Sequence, residues 1–145
     1  MINRSLPLCL AAVLTLSLAT AQNAIPQKKK APVDLSQLPP AANKQNVTFA
    51  SDIKPIFDKS CVRCHGAEKP KARLRLDSLE STLKGGEDGK VVEPGNSANS
   101  MLVHSIAQLG DPDTFMPPPK NKAGIAPLAK GQIGLIRAWI DQGTK

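Results

Sequence analysis

Cys61-Val62-Arg63-Cys64-His65 is the stretch whose reading decides this chain. It is a C-x-x-C-H run, and that order is the attachment signature for covalent c-type haem. Two thiols three positions apart can each reach one vinyl group of a single porphyrin and become thioethers. The next residue, His65, then lies beside the iron, and neutral imidazole is a good donor to it. Cys61 and Cys64 are therefore the candidate attachment residues, and His65 is the candidate proximal ligand.

The 145 residues are enough for one domain once segments outside it are removed. Residues 1–21 read as a secretory signal peptide: Arg4, an apolar run from Leu6 to Leu18, then Ala19-Thr20-Ala21 as a cleavage site. The run is short for a spanning helix, which needs roughly 20 residues. Left uncleaved, it would act as an anchor and give the only membrane contact. Cys9 leaves with the signal, so Cys61 and Cys64 remain. Exported proteins normally pair their cysteines. A lone C-x-x-C disulfide closes a tiny loop and adds little stability, so these thiols need another use. A periplasmic or otherwise exported location agrees with haem, which is attached to this motif outside the bacterial cytoplasm.

Residues 22–45 hold Lys28-Lys29-Lys30 and several prolines and alanines without an apolar period. They read as a flexible or partly extended tether. The domain is expected over residues 46–145. Ile53, Ile56 and Phe57 share a helical face, with Ser51 or Asp52 as cap and Pro55 in the first turn. Ser78 to Leu83 suits a helical turn, and Asn99 or Ser100 can cap a helix over Met101 to Leu109. The last helix spans Ala129 to Gln142, with Ile133, Ile136 and Ile140 on one face and Gly143 as the stop. Its start is poor, since Ala129 offers no hydroxyl and only Gln132 can play half of a capping box. Gly131 and Gly134 cost roughly 1 kcal/mol each relative to Ala; close crossing over the helix carrying Phe57 would compensate.

One histidine leaves the sixth position of the iron to be filled. Met116 is the best candidate, because a thioether favours ferrous iron and Pro117-Pro118-Pro119 stiffens its loop. Met101 and His104 compete from the middle helix. A zinc reading of Cys61, Cys64, His65 and His104 requires adjacent residues to bind one tetrahedral ion, an awkward geometry. A thioredoxin-like reading lacks its βαβ context.

The formal charge is +7. Nucleic acid is disfavoured, because three Phe, one Trp and no Tyr leave little to stack bases. A solvated basic surface and steering toward an acidic redox partner both fit the scattered lysines.

The chain resembles a class I cytochrome c domain of the planctomycete type. The matching pieces are Phe49 to Phe57, Cys61 to Gly66, Leu74-Arg75-Leu76-Asp77-Ser78, Gly85-Gly86, Val91 to Gly95, Met116-Pro117-Pro118 and Trp139-Ile140. The resemblance implies a small all-α fold wrapped around one covalent haem c, with Cys61 and Cys64 attached, His65 proximal and Met116 distal. Arg73, Arg75 and Trp139 are candidates for the haem edge or its propionates. The expected role is a single-haem electron carrier, not an enzyme, meeting redox protein partners transiently. The alternative is a haem sensor or peroxidase-like domain whose sixth position is open or labile.

Overall fold

The computed structural model describes residues 32–145. Among them the fold is all-α, with no strand and a single isolated bridge between Gly86 and Gly89. The five α-helices are α1 (Lys54–Ser60), α2 (Val62–His65), α3 (Leu79–Lys84), α4 (Met101–Ile106) and α5 (Lys130–Asp141). No helix among the described residues is long and apolar enough to cross a membrane. The expected signal segment lies outside the described residues.

The first helical passage begins earlier than Ser51. Thr48 is its cap, with Oγ1 accepting from Ser51 N at 3.3 Å, while the Asp52 carboxylate accepts from Thr48 N at 3.0 Å. Each side chain thus satisfies one otherwise orphaned donor. The turn Phe49–Ile53 is wound as a π-helix before α1 takes over. Pro55 explains the change: it has no N–H for the Ser51 carbonyl, and its ring crowds that oxygen.

The core forms where α5 lies on this passage. Trp139, Phe57, Ile53, Ile136 and Ile140 are sealed from solvent. The Phe49 ring stands 6.0 Å from Phe57, nearly edge-on, and 5.8 Å from Trp139. Such tilted contacts place ring edges against ring faces, which favours them over stacked sandwiches. At the start of α5, the Gln132 side chain accepts from Ala129 N at 3.0 Å, the half capping box expected from sequence. Gly143, at φ +86°, ends the passage.

Packing begins before Asn46. Leu38 belongs to the core, Ala42 N donates to Gly134 O at 2.8 Å, and Arg137 Nη1 donates to Pro39 O. Gln142 grips the same strap from both sides, accepting from Val47 N at 3.1 Å and donating to Lys44 O at 2.7 Å. The described end of the expected tether, from Leu38 on, is therefore a strap laid along α5. Its proline-rich composition hides this, because the contacts are backbone carbonyls and amides, not an apolar stripe.

The role of Gly134 is corrected by the same contact. A Cβ there would come within 2.6 Å of Pro40 O, so the glycine admits the strap and not the helix carrying Phe57. A Cβ at Gly131 would meet nothing within 4 Å. Gly134→Ala should cost about 1–3 kcal/mol by overpacking, and Gly131→Ala should stabilise by up to about 1 kcal/mol through helix propensity. Urea denaturation of the two variants checks the contrast.

Acid should loosen the strap. Lys44 pairs with Asp52, and this contact, followed by the Thr48 amide, holds the Asp52 carboxyl below its ordinary value of 3.8. A depressed carboxylate stabilises the fold above its unfolded pKa, and that contribution is lost as pH falls through the folded value. Asp52→Asn should therefore be less stable than the parent at neutral pH, and the gap should close below pH about 4. Thermal melts across that range measure it.

Candidate haem site

The C-x-x-C-H run sits at a break in the helix. α1 and α2 both end on Cys61, whose φ of −125° departs from helical geometry. Its amide still bonds back to Phe57 O at 2.7 Å, and its carbonyl accepts from Cys64 N at 3.0 Å and His65 N at 2.9 Å. One turn therefore gathers both thiols and the imidazole. The turn is fastened to the following segment by Leu76 N, which donates to His65 O at 2.8 Å.

Cys61 and Cys64 are free thiols, each half-buried. Burial pushes the Cys61 thiol up to about 12, with the neighbouring Cys64 adding to the effect. His65 is buried. Its Nδ1 lies 3.2 Å from Leu74 O, an acceptor only, so Nδ1 carries the ring proton and the lone pair falls on Nε2. Burial lowers its pKa, against the opposing pull of the Leu74 and Lys71 carbonyls, which favours the neutral ring that can ligate a metal.

These three side chains and Met116 line one cavity of about 320 Å³. Its apolar walls include Leu74, Leu76, Val91, Leu102, Ile106 and Leu128. The 85–89 turn closes one side; a Cβ on Gly86 would come within 2.6 Å of Ala72 O, and Glu87 N donates to that same oxygen at 2.8 Å. The Met116 segment closes another. Met116 N donates to Ser105 O of α4 at 3.0 Å, and the bond from Met116 to Pro117 is cis. Past the prolines, Asn121 closes the loop on itself: Nδ2 donates to Pro118 O and Ile125 O, and Oδ1 accepts from Ile125 N.

The rival distal residues separate in space. Met101 also borders the cavity and is partly exposed, whereas His104 does not border it, and its Nε2 lies 2.6 Å from Ala98 O. Ser100, expected as the cap of α4, instead ties its own loop, accepting from Glu93 N and donating to Asn96 O. α4 stops at Ile106, short of Leu109, and Gln108 turns to φ +54°. Neither Arg75 nor Trp139 borders the cavity. Arg75 forms a two-pronged pair with Asp77, and Trp139 Nε1 donates to Lys145 O. The charged residues that do border it, Glu87, Asp88 and Asp113, escaped sequence reasoning, because nothing local marks them as neighbours of His65. No group of three or more His, Cys, Asp and Glu side chains among the described residues is placed to hold a metal ion.

Residues 61–120 match the family model described as Planctomycete cytochrome C. This segment is similar to the planctomycete-type cytochrome c family. The match runs from the first thiol past Met116 and so takes in both sides of the cavity. No curated protein and no solved structure matches the chain. That likeness implies haem c, and the cavity passes a test of fit. It offers two thiols, a neutral imidazole and a thioether to one apolar space, the donor set that covalent haem uses.

The loop beyond Met116 depends on one amide. Asn121→Ala removes three hydrogen bonds, and should cost about 1–2 kcal/mol at the roughly 0.5–1.5 kcal/mol net of each, discounted for exposure. Hydrogen exchange should quicken at the Ile125 amide while amides of α5 keep their protection.

Proposed function

We propose that this protein is an exported, single-haem c-type cytochrome that carries one electron at a time between protein partners. The observation that carries this reading is that Cys61, Cys64, His65 and Met116, spread over 56 positions of the sequence, border the same apolar cavity. Bound there, haem c would supply reversible one-electron exchange between ferric and ferrous iron. Cys61 and Cys64 would hold the ring through thioethers. His65 would hold the iron through Nε2, kept in register by its Nδ1 proton on Leu74 O. Met116 would hold it through its sulfur, its backbone pinned to Ser105 O. A thioether stabilises the ferrous state and so raises the reduction potential. The leucine and isoleucine walls would keep water from the metal, which favours electron transfer over ligand activation. No acid, base or nucleophile is required of the chain.

Export rests on the residue pattern at 1–21 and on the usual placement of this family. Arg63, Lys69, Lys71 and Arg73 stand exposed beside the C-x-x-C-H turn and would meet an acidic partner. Encounters of this kind are small and short-lived.

Expression in a haem-maturing host tests the reading. Purified protein should keep its colour through acid–organic extraction and show a mass increase of one haem. Cys61→Ser with Cys64→Ser should abolish both. Met116→Ala should remove the sulfur-to-iron charge-transfer absorption of the ferric protein and lower the potential. Colour lost on extraction, or a Met116→Ala spectrum and potential equal to the parent's, would overturn the assignment. High-spin ferric iron that reacts rapidly with peroxide would favour a peroxidase-like domain.

A further inference from the structure

Ala72 and Arg73 are consecutive left-handed residues, at φ +51° and +52°, and neither is glycine. A Cβ makes that conformation costly, so such a pair persists only where its surroundings hold it. Its own loop offers two tight bonds, Arg73 N to Pro70 O at 3.1 Å and Leu74 N to Lys71 O at 3.1 Å. Among the described residues, the hydrogen bond that reaches the pair from another part of the chain is Glu87 N to Ala72 O at 2.8 Å. Directly after the pair stands Leu74, whose carbonyl is the acceptor for the His65 ring.

The turn that supplies this bond is itself anchored. Gly86 N donates to Gly89 O at 3.0 Å, Gly89 N donates back to Gly86 O at 3.2 Å, and Gly85 N donates to Ser81 O of α3 at 3.3 Å. Gly86 meets the loop at its bare Cα. A Cβ there would come within 2.6 Å of Ala72 O, 3.0 Å of Leu74 Cβ and 3.3 Å of Leu74 Cα. The first is a backbone atom, which cannot swing aside alone. The other two belong to the residue whose carbonyl faces His65.

We infer that the 85–89 turn clamps Leu74 O onto the His65 ring, which makes Gly86 and Ala72 positioning residues for the proximal ligand. The inference rests on His65 ligating haem iron, as proposed above. A carbonyl that accepts the Nδ1 proton makes Nε2 a stronger donor. A stronger donor favours ferric iron, the more electron-poor state, and so lowers the potential. Loosening the clamp therefore raises it. The turn reaches the ring through the backbone of residues 72–74, held from outside by the Glu87 amide and fitted against Gly86.

The test compares Gly86→Ala with Gly134→Ala in the haem-loaded full chain. Each variant brings a Cβ to 2.6 Å from a backbone carbonyl, at Ala72 and at Pro40 respectively, and only the first also presses on the residue that faces His65. The expected result is a raised potential and a displaced His65 Nδ1 proton resonance in ferrous Gly86→Ala, with both at parent values in Gly134→Ala. Gly86→Ala at parent values, or the two variants shifted alike, would overturn the clamp. Should Gly86→Ala not fold, the parent protein decides. Hydrogen-exchange protection of the Glu87 amide and of the Nδ1 proton should then fall together as urea is added. A Nδ1 proton that loses protection independently of that amide would overturn the inference. Parent protein whose His65 resonances carry no haem-ligand shift would overturn the proximal assignment, and the clamp with it; the other failures leave that assignment standing.

Discussion

The packing of Trp139 against Phe49 is the contact on which the rest depends. Phe49 also touches Phe57, so one ring joins the start of the first helical passage to its end and to α5. All three are buried, and aromatic side chains bury more area than any others. The Cys61 amide closes the last turn of α1 on Phe57 O, so the turn carrying both thiols and His65 is joined directly to a core residue. The strap adds a second hold on α5 from the opposite direction in sequence. Arg137 joins it to the turn before α4, since Nε donates to Ser97 Oγ while Asp141 accepts from the amide and hydroxyl of Ser97. The two walls of the cavity are thereby referred to one helix.

The grouping of the candidate site was legible where it is local. C-x-x-C-H fits within one turn, so spacing alone brings three donors together. Met116 was legible for a different reason: three prolines after a methionine leave few conformations. The helix over Ile53 to Phe57 and the face of Ile133, Ile136 and Ile140 followed from period, because each buries one stripe. What was hidden came from non-local backbone contacts. The strap has no periodic apolar pattern, and it binds through the carbonyls of Pro39 and Lys44 and the amide of Ala42. Gly134 shows how this misleads. Its smallness was visible and its partner was not, since the partner lies 94 positions away in a segment that reads as linker.

Caps were misread for a related reason. Ser and Asp residues near a helix start compete for several backbone groups, and the local sequence does not rank them. Asp52 does cap, but by reaching back to Thr48, one turn before its expected position. Ser100 precedes α4 and leaves it uncapped, because Glu93 and Asn96 claim its hydroxyl first. In both places the deciding partner is a backbone group.

The net charge of +7 and the charges at the cavity describe different distances. Beyond roughly 10 Å salt screens individual groups, and an approaching partner responds to the sum. That sum is positive and attracts an acidic surface. At contact the nearer charges dominate, and the charged residues bordering the cavity are Glu87, Asp88 and Asp113. Lys71 and Arg73 stand exposed on the adjoining segment, next to Ala72, whose carbonyl holds the turn bearing Glu87. For the acidic partner proposed above, Glu87 and Asp88 would oppose acidic groups brought to that edge. Like-charge contact there would disfavour that orientation, so under the proposed reading the mixed rim would add register to the attraction of the net charge.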